Sequence, residues 1–287
     1  MVNFSDGQER LKMMKIFGKV SEFNGSSVEL NADNIDDDCE QTCFDEPDCV
    51  LAFFNKQDYC ILFDFNSTVT LEVVETTRGD GLYVSFKTTL PDNTCPAYDS
   101  ISPVVKNLGE DPISWIKTGT TWNFKKCVGD WKMLKRSYDD EEITVCMQIF
   151  PFTGETHKDD AAKFCKDMGH HIAGVDSIEE TKWIFKKIKP FLPSGADGFW
   201  IDGIRDCPLD DTQKMTECPN FKWTDDFTQF NNALAPPNAE LSFTSFYHDF
   251  QENCLVVADI DGNGIINDVA CELPSDAWGV VCGYRMD

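Results

Sequence analysis

Thirteen cysteines and four histidines are the residues of this 287-residue chain most suited to metal binding or covalent bond formation. A zinc site wants His among its ligands or tight Cys-x-x-Cys pairs. No Cys-x-x-Cys occurs, and the histidines (His157, His170, His171 and His248) are scattered or adjacent. Disulfides formed in an oxidising compartment are therefore the expected use of the cysteines. A second suggestion is Asp259-Ile-Asp261-Gly-Asn263-Gly264, which copies the start of an EF-hand calcium loop. The bidentate Glu required at its twelfth position is Ala270, and the flanks Leu255-Val-Val-Ala and Ile265-Ile266 look like strands rather than helices. Gly262 and Gly264 better serve a tight hairpin. No Gly-x-Ser-x-Gly, His-Glu-x-x-His or phosphate-cradling glycine loop is present, and no carboxylate in pairs such as Asp139-Asp140 is marked as a general acid. The expectation is a protein that is not an enzyme.

Elements must hold such residues in place, and the composition supports them. Hydrophobic residues make up 41% of the chain, with 22 Phe and 7 Trp, which is enough for at least one packed core and, at this length, for two domains. Asp plus Glu is 50 against 25 Lys plus Arg, a net charge of −25. Nucleic acid and anionic membrane surfaces would be repelled, so neither is expected as a partner. No apolar run is long enough to span a bilayer. Met1 to Val20 lacks the apolar stretch of a signal peptide, although sequons at Asn3, Asn24 and Asn66 agree with a secreted glycoprotein.

The cysteines fall into two clusters, Cys39 to Cys60 and Cys127 to Cys282, with Cys95 between them. In the first, Asn34 to Cys43 reads as a short helix with acids in its first turn. Strands are expected at Val50–Phe54 and Tyr59–Phe65, and in the alternating stretches around Val69–Val73 and Leu82–Phe86. The pattern Cys39-x3-Cys43-x5-Cys49-x10-Cys60, with Cys49-Val-Leu-Ala-Phe-Phe and Cys60-Ile-Leu-Phe, resembles the PAN/apple superfamily in its short PAN-3 form. The resemblance implies nested bridges Cys43–Cys49 and Cys39–Cys60 in a domain at 13–90, and a module that binds proteins or sugars. Pro91 to Lys126 has little periodicity and is expected as a linker over 91–126.

The second cluster carries the clearest helix signals. Thr156-His-Lys-Asp159 resembles a capping box ahead of Ala161, Phe164, Cys165 and Met168, with Gly169 as the stop. Ser177-Ile-Glu-Glu180 is a full capping box before Thr181, Ile184, Ile188 and Phe191. Short Trp-, Val- and Ile-rich strands follow, an α+β order. Cys165, His171 to Glu180, Phe199-Trp-Ile-Asp-Gly-Ile204, Phe221-Lys-Trp-Thr-Asp225, Asn253-Cys254, Asn267-Asp268-Val-Ala-Cys271 and Trp278-Gly-Val-Val-Cys282 resemble the C-type lectin-like domain, in family order, over 127–287. The fold expected is thus α+β, a small disulfide-braced helix-plus-sheet module followed by a C-type lectin-like fold of two helices, short antiparallel strands and a long loop region. The resemblance implies bridges Cys127–Cys146, Cys165–Cys282 and Cys254–Cys271, with Cys207–Cys218 stapling an insertion. Cys95 is left to join another chain, making an oligomer, or to stay free.

By the same resemblance, a calcium and sugar site would draw oxygens from a Glu-Pro-Asn-type loop, a Glu before the last cysteine pairs and an Asn-Asp pair. Here the loop is Ala235-Pro236-Pro237-Asn238, so Asn238, Glu252, Asn267 and Asp268 match as ligands while Pro236 offers no side-chain oxygen. Unless Glu240 or Asp249 completes the set, the resemblance implies weak calcium binding at most. The function expected is that of a secreted recognition protein, plausible in innate immunity, which binds a glycan or protein ligand with calcium dependence in doubt. The alternative is a calcium-independent protein-binding module without sugar affinity.

Overall fold

The computed structural model describes residues 9–30, 39–55, 59–91, 101–105, 112–139, 141–193, 198–206, 220–241, 246–247, 250–271 and 277–286. The chain divides into two units, Met1–Asp130 and Trp131–Asp287. Cys95, Cys207, Cys218, His248 and Asp249, with the expectations attached to them, lie outside the described residues.

In the first unit the strands are β1 (Glu9–Asn24), β2 (Ser27–Leu30), β3 (Cys49–Asn55), β4 (Cys60–Asp64), β5 (Thr70–Glu75), β6 (Leu82–Pro91), β7 (Val104–Val105), β8 (Ile113–Ser114), β9 (Ile116–Thr118) and β10 (Thr121–Lys125). The α-helix among its described residues, α1, covers Cys39–Asp45. The main sheet is ordered β2-β4-β3-β6-β1-β5-β10-β9, and β7 pairs with β8. The long β1 joins its two halves: Glu9 to Phe17 pair with β6, and Gly18 to Asn24 pair with β5. Cys39 and Cys43 share the buried side of α1, where bridges Cys39–Cys60 and Cys43–Cys49 tie the helix to β3 and β4.

The stretch expected as a linker is corrected here. Its second half supplies β8 to β10, and β10 pairs with β5 across Thr121↔Val74 to Lys125↔Thr70. Trp115, Trp122 and Phe124 are fully buried beside Phe86, and the Phe86–Trp115 ring centroids lie 4.7 Å apart. Each aromatic removes a large apolar area from water, which outweighs the poor strand propensity of the Gly and Asn around it.

The second unit contains β11 (Lys132–Tyr138), β12 (Glu141–Pro151), α2 (Lys158–Asp167), β13 (His171–Ile172), α3 (Ile178–Ile188), β14 (Gly198–Arg205), β15 (Phe221–Lys222), β16 (Ala239–Glu240), β17 (Phe246–Tyr247), β18 (Phe250–Gln251), β19 (Cys254–Ile260), β20 (Asn263–Val269) and β21 (Ala277–Met286). The sheet runs β11-β12-β21-β14-β19-β20-β16, with β13 on β21 and β15 on β14. It mixes antiparallel pairs with parallel ones at β14–β21 and β16–β20.

Alternation along the central strands separates two cores. Phe199, Ile201, Leu255, Val257 and Val281 pack with Ile184 and Ile188 of α3. Trp200, Val256, Ala258, Val280 and Cys282 pack with Ala161 and Cys165 of α2. The two helices therefore cover opposite faces of one sheet. Bridges Cys165–Cys282 and Cys254–Cys271 are present, and Cys127 and Cys146 are each disulfide-bonded. Asp261 (φ 53°) and Gly262 (φ 84°) make the two-residue turn between β19 and β20, so the EF-hand-like run is the expected hairpin.

The helix caps depart from the sequence pattern. α2 begins one residue later than Thr156 implies, at N-cap His157 with no side-chain cap bond. Ser177 Oγ does accept from Glu180 N at 3.2 Å. Glu180 does not return the bond to Ser177; its carboxylate accepts from Asp176 N at 2.8 Å and pairs with Arg136. Among the described residues, no helix is long and apolar enough to cross a membrane.

Candidate functional site

Of the residues matched by the lectin-like loop pattern, Asn238 directly precedes β16, Glu252 lies just before β19, and Asn267 and Asp268 lie near the end of β20. Glu252 precedes β19, and Asp268 lies on β20 opposite Leu255 of β19. β14 runs on the other side of β19, with Ile204 paired to Cys254 and Arg205 N donating to Asn253 O at 2.9 Å. This register places Arg205, at the last position of β14, within reach of both acidic positions.

Arg205 uses that reach. Its Nη2 donates to Asp268 Oδ2, and its Nε and Nη2 donate to the main-chain oxygen of Glu252 at 3.0 and 2.8 Å. The guanidinium stacks 4.7 Å from the centroid of Phe221 on β15. The two charged side chains are 7% and 2% exposed, so water screens the pair little. A planar fork that satisfies a carboxylate and a carbonyl together is the particular capacity of arginine. Sequence reasoning passed over Arg205. Its position directly after Phe199-Trp-Ile-Asp-Gly-Ile204 was visible, but nothing in the sequence says which way its side chain turns.

Asn238 is placed differently. It is 6% exposed, and its Nδ2 donates to Thr181 Oγ1 of α3 at 3.0 Å and to Ala233 O at 2.6 Å. Its main-chain oxygen accepts from Ile266 N at 2.9 Å, which fixes β16 beside β20. Both amide hydrogens are therefore committed to holding the loop on the core. The Pro236–Pro237 bond in this loop is cis. Asn267 is half-buried, opposite Val256 of β19 and beside the exposed Glu240 of β16.

A calcium ion needs six to eight oxygens with net negative character. Here the Asp268 carboxylate already serves a guanidinium, which the Glu252 main-chain oxygen also holds, and a divalent cation beside that group would be repelled. Pro236 contributes no side-chain oxygen. Among the described residues no group of three or more His, Cys, Asp or Glu is gathered for a metal. The donor set does not fit calcium while Arg205 is in place.

A second buried ion pair braces the far edge of the same unit. Arg136 of β11 donates to both oxygens of Glu180, each at 2.8 Å, and also to Gly174 O, Phe227 O and Thr228 Oγ1. Burial works against the charge on Arg136, but Glu180, Tyr138 and Asp225 together outweigh it and raise its pKa. Burial raises Asp225 as well, against hydrogen bonds from Thr228 and Gly174. Lys158 is enclosed with its ammonium on Gly203 O at 2.7 Å; burial lowers its pKa to about 8, although Asp202 and Asp159 oppose the shift. These groups hold loops and helices together.

Comparison with known proteins follows the division into units. Residues 13–88 match the family described as a PAN-like domain. Snaclec lebecin subunit beta from Macrovipera lebetinus is 31% identical over 101 residues, 34% of this chain and 54% of that protein. The chain thus spans about half the length of the curated relative it matches. Structural neighbours of the C-terminal part are C-type lectin domains. They include the cow carbohydrate-recognition domain of CD23 in the presence of GlcNAc2Man3 oligosaccharide (20% identity, 56% of this chain and 98% of that one, TM-score 0.35). The human scavenger receptor C-type lectin domain (22%, 56% and 100%, TM-score 0.31) is another. A Ca2+-dependent type II antifreeze protein in its Ca2+-free form (18%, 55% and 99%, TM-score 0.34) is a third.

Proposed function

We propose that this chain, with a PAN-like domain at residues 13–88 and a lectin-like C-terminal unit, is an extracellular recognition protein whose C-terminal unit binds a glycan or protein ligand without calcium. The observation that carries the calcium-independence is Arg205, whose guanidinium stands on the Asp268 carboxylate that a metal would need and is held there by the Glu252 main-chain oxygen. The disulfides support an oxidising location, since thiols in a reducing compartment stay unpaired. Recognition rather than catalysis agrees with a site whose charged groups are already paired and buried.

A glycan array, run with and without chelator and followed by calorimetry with calcium, tests this reading. Binding that survives chelation, with no heat on adding calcium, is the expected result. Binding abolished by chelator would overturn it. A protein ligand captured in the absence of any glycan signal would favour the reading as a protein-binding module.

A further inference from the structure

Between β5 and β6 the chain turns through Thr77-Arg78-Gly79-Asp80, all four residues exposed. The turn stands where β1 changes partners, from β6 up to Phe17 to β5 from Gly18 onward. Thr76 N donates to Phe17 O at 2.9 Å, which anchors the entry, and Gly81 closes the exit in the left-handed conformation (φ 67°). Inside the turn, Asp80 N donates to Thr77 O at 3.1 Å. The Asp80 carboxylate accepts from Thr77 N at 2.8 Å and from Thr77 Oγ1 at 2.7 Å. A segment tied in this way has little conformational freedom left to lose when it docks on a partner.

The two charges on the turn do not meet. Arg78 to Asp80 form a single 3₁₀ turn, in which side chains two positions apart point in different directions. Arg78 makes no ion pair among the described residues, although the chain has 50 acids to 25 bases. Both bonds from Thr77 land on Oδ2 of Asp80, and Oδ1 accepts none among the described residues. The bonds from the Thr77 side chain and backbone also hold the Asp80 carboxyl below its ordinary pKa, so it stays ionised. Gly79 separates the charges, and the turn itself makes no demand for glycine there. Its φ lies outside the left-handed region, and a Cβ would meet only Thr77 Oγ1, at 3.6 Å. What glycine supplies at this place is bare backbone between an exposed cation and an exposed anion.

We propose that Arg78-Gly79-Asp80 is a docking turn for an extracellular receptor protein that holds a divalent cation beside an acidic group. Asp80 Oδ1 completes the coordination of the partner's cation, and Arg78 forks onto the partner's carboxylate. Hard divalent cations take carboxylate oxygens and commonly keep waters that an incoming oxygen can replace. A guanidinium matches a carboxylate bidentately. The absent side chain at Gly79 lets the partner's surface come close enough for both contacts at once. The metal belongs to the partner, so the C-terminal unit remains calcium-independent. The inference shares with the proposed function only the extracellular location of the chain.

Adhesion of cultured fibroblasts to the immobilised full chain tests the turn, because such cells carry cation-dependent receptors for this tripeptide. Adhesion in the presence of Mg2+ is expected, lost on adding EDTA. A soluble Gly-Arg-Gly-Asp-Ser peptide should compete, and the same peptide with glutamate in place of aspartate should not. Asp80→Glu should weaken adhesion on the order of tenfold, the effect of losing one charged hydrogen bond. Gly79→Ala, which leaves the bonds between Thr77 and Asp80 in place, serves as the second variant and should weaken it likewise. Circular dichroism checks that both variants remain folded. Their glycan-array profile should match that of the wild type, which keeps a failure here distinct from a failure of the C-terminal unit's proposed role. Folded variants that hold cells as well as the wild type does, adhesion that the peptide leaves intact, or no adhesion by the wild type overturns the proposal.

Discussion

Arg205 and Asp268 form an ion pair whose partners are too buried for either to stand alone. Removing one charge leaves the other uncompensated in a poorly hydrated place, which typically costs about 3–5 kcal/mol. Arg205→Gln is expected to lower stability to urea by that order. It also frees the Asp268 carboxylate, so added calcium should raise the melting temperature of the variant and leave the wild type unchanged. Lys158 gives a second prediction at this scale. Its folded-state pKa of about 8 lies below the ordinary 10.5, so the unfolded chain holds this proton more tightly. Below pH 8 both states are protonated and the burial penalty is fully felt. Between pH 8 and 10.5 the folded state gives up the proton first, and stability should rise by roughly 3 kcal/mol. Unfolding curves across this window, with Lys158→Met as the reference that lacks the rise, measure it.

Helix α3 illustrates how an element begins. Ser177 Oγ satisfies Glu180 N, one of the amides that the first turn leaves without a helical partner. Ser177→Ala should therefore cost about 1 kcal/mol. The reciprocal half of the capping box was legible in the sequence, yet Glu180 is drawn instead to Arg136, because a buried guanidinium outbids a main-chain amide for a carboxylate. The hairpin at Asp261-Gly262 was equally legible, since that pair suits the left-handed turn. Strand β10 was not. Trp122 and Phe124 are two alternating positions among Thr, Asn and Lys, too short a pattern to distinguish from a loop until β5 supplies its partner.

At the scale of the molecule, each unit has its own buried cluster and its own cystines. Calorimetry should resolve two transitions rather than one. Trp122→Ala, which empties a fully buried site in the first unit, should lower the first unit's transition by about 3–5 kcal/mol and leave the other in place. The Cys165–Cys282 bridge spans 117 residues of the second unit, and its removal should cost on the order of 4–5 kcal/mol in the chain-entropy model. Denaturant titration of the Cys165→Ala/Cys282→Ala double variant measures that loss.

Local information sufficed for what depends on local order: cysteine spacing, the apolar stripes of α2 and α3, the Asp-Gly turn, and the motifs that placed a PAN-like domain at residues 13–88. Whether Asp268 holds a metal or an arginine depends on the register of β14 against β19, which no spacing along the chain encodes. The same holds for the exposure of the Arg78–Asp80 turn, which stands where the pairing of β1 passes from one distant strand to another. Charge pairing between distant strands is set by tertiary packing, and tertiary packing alone decided which charges are paired and which stay open.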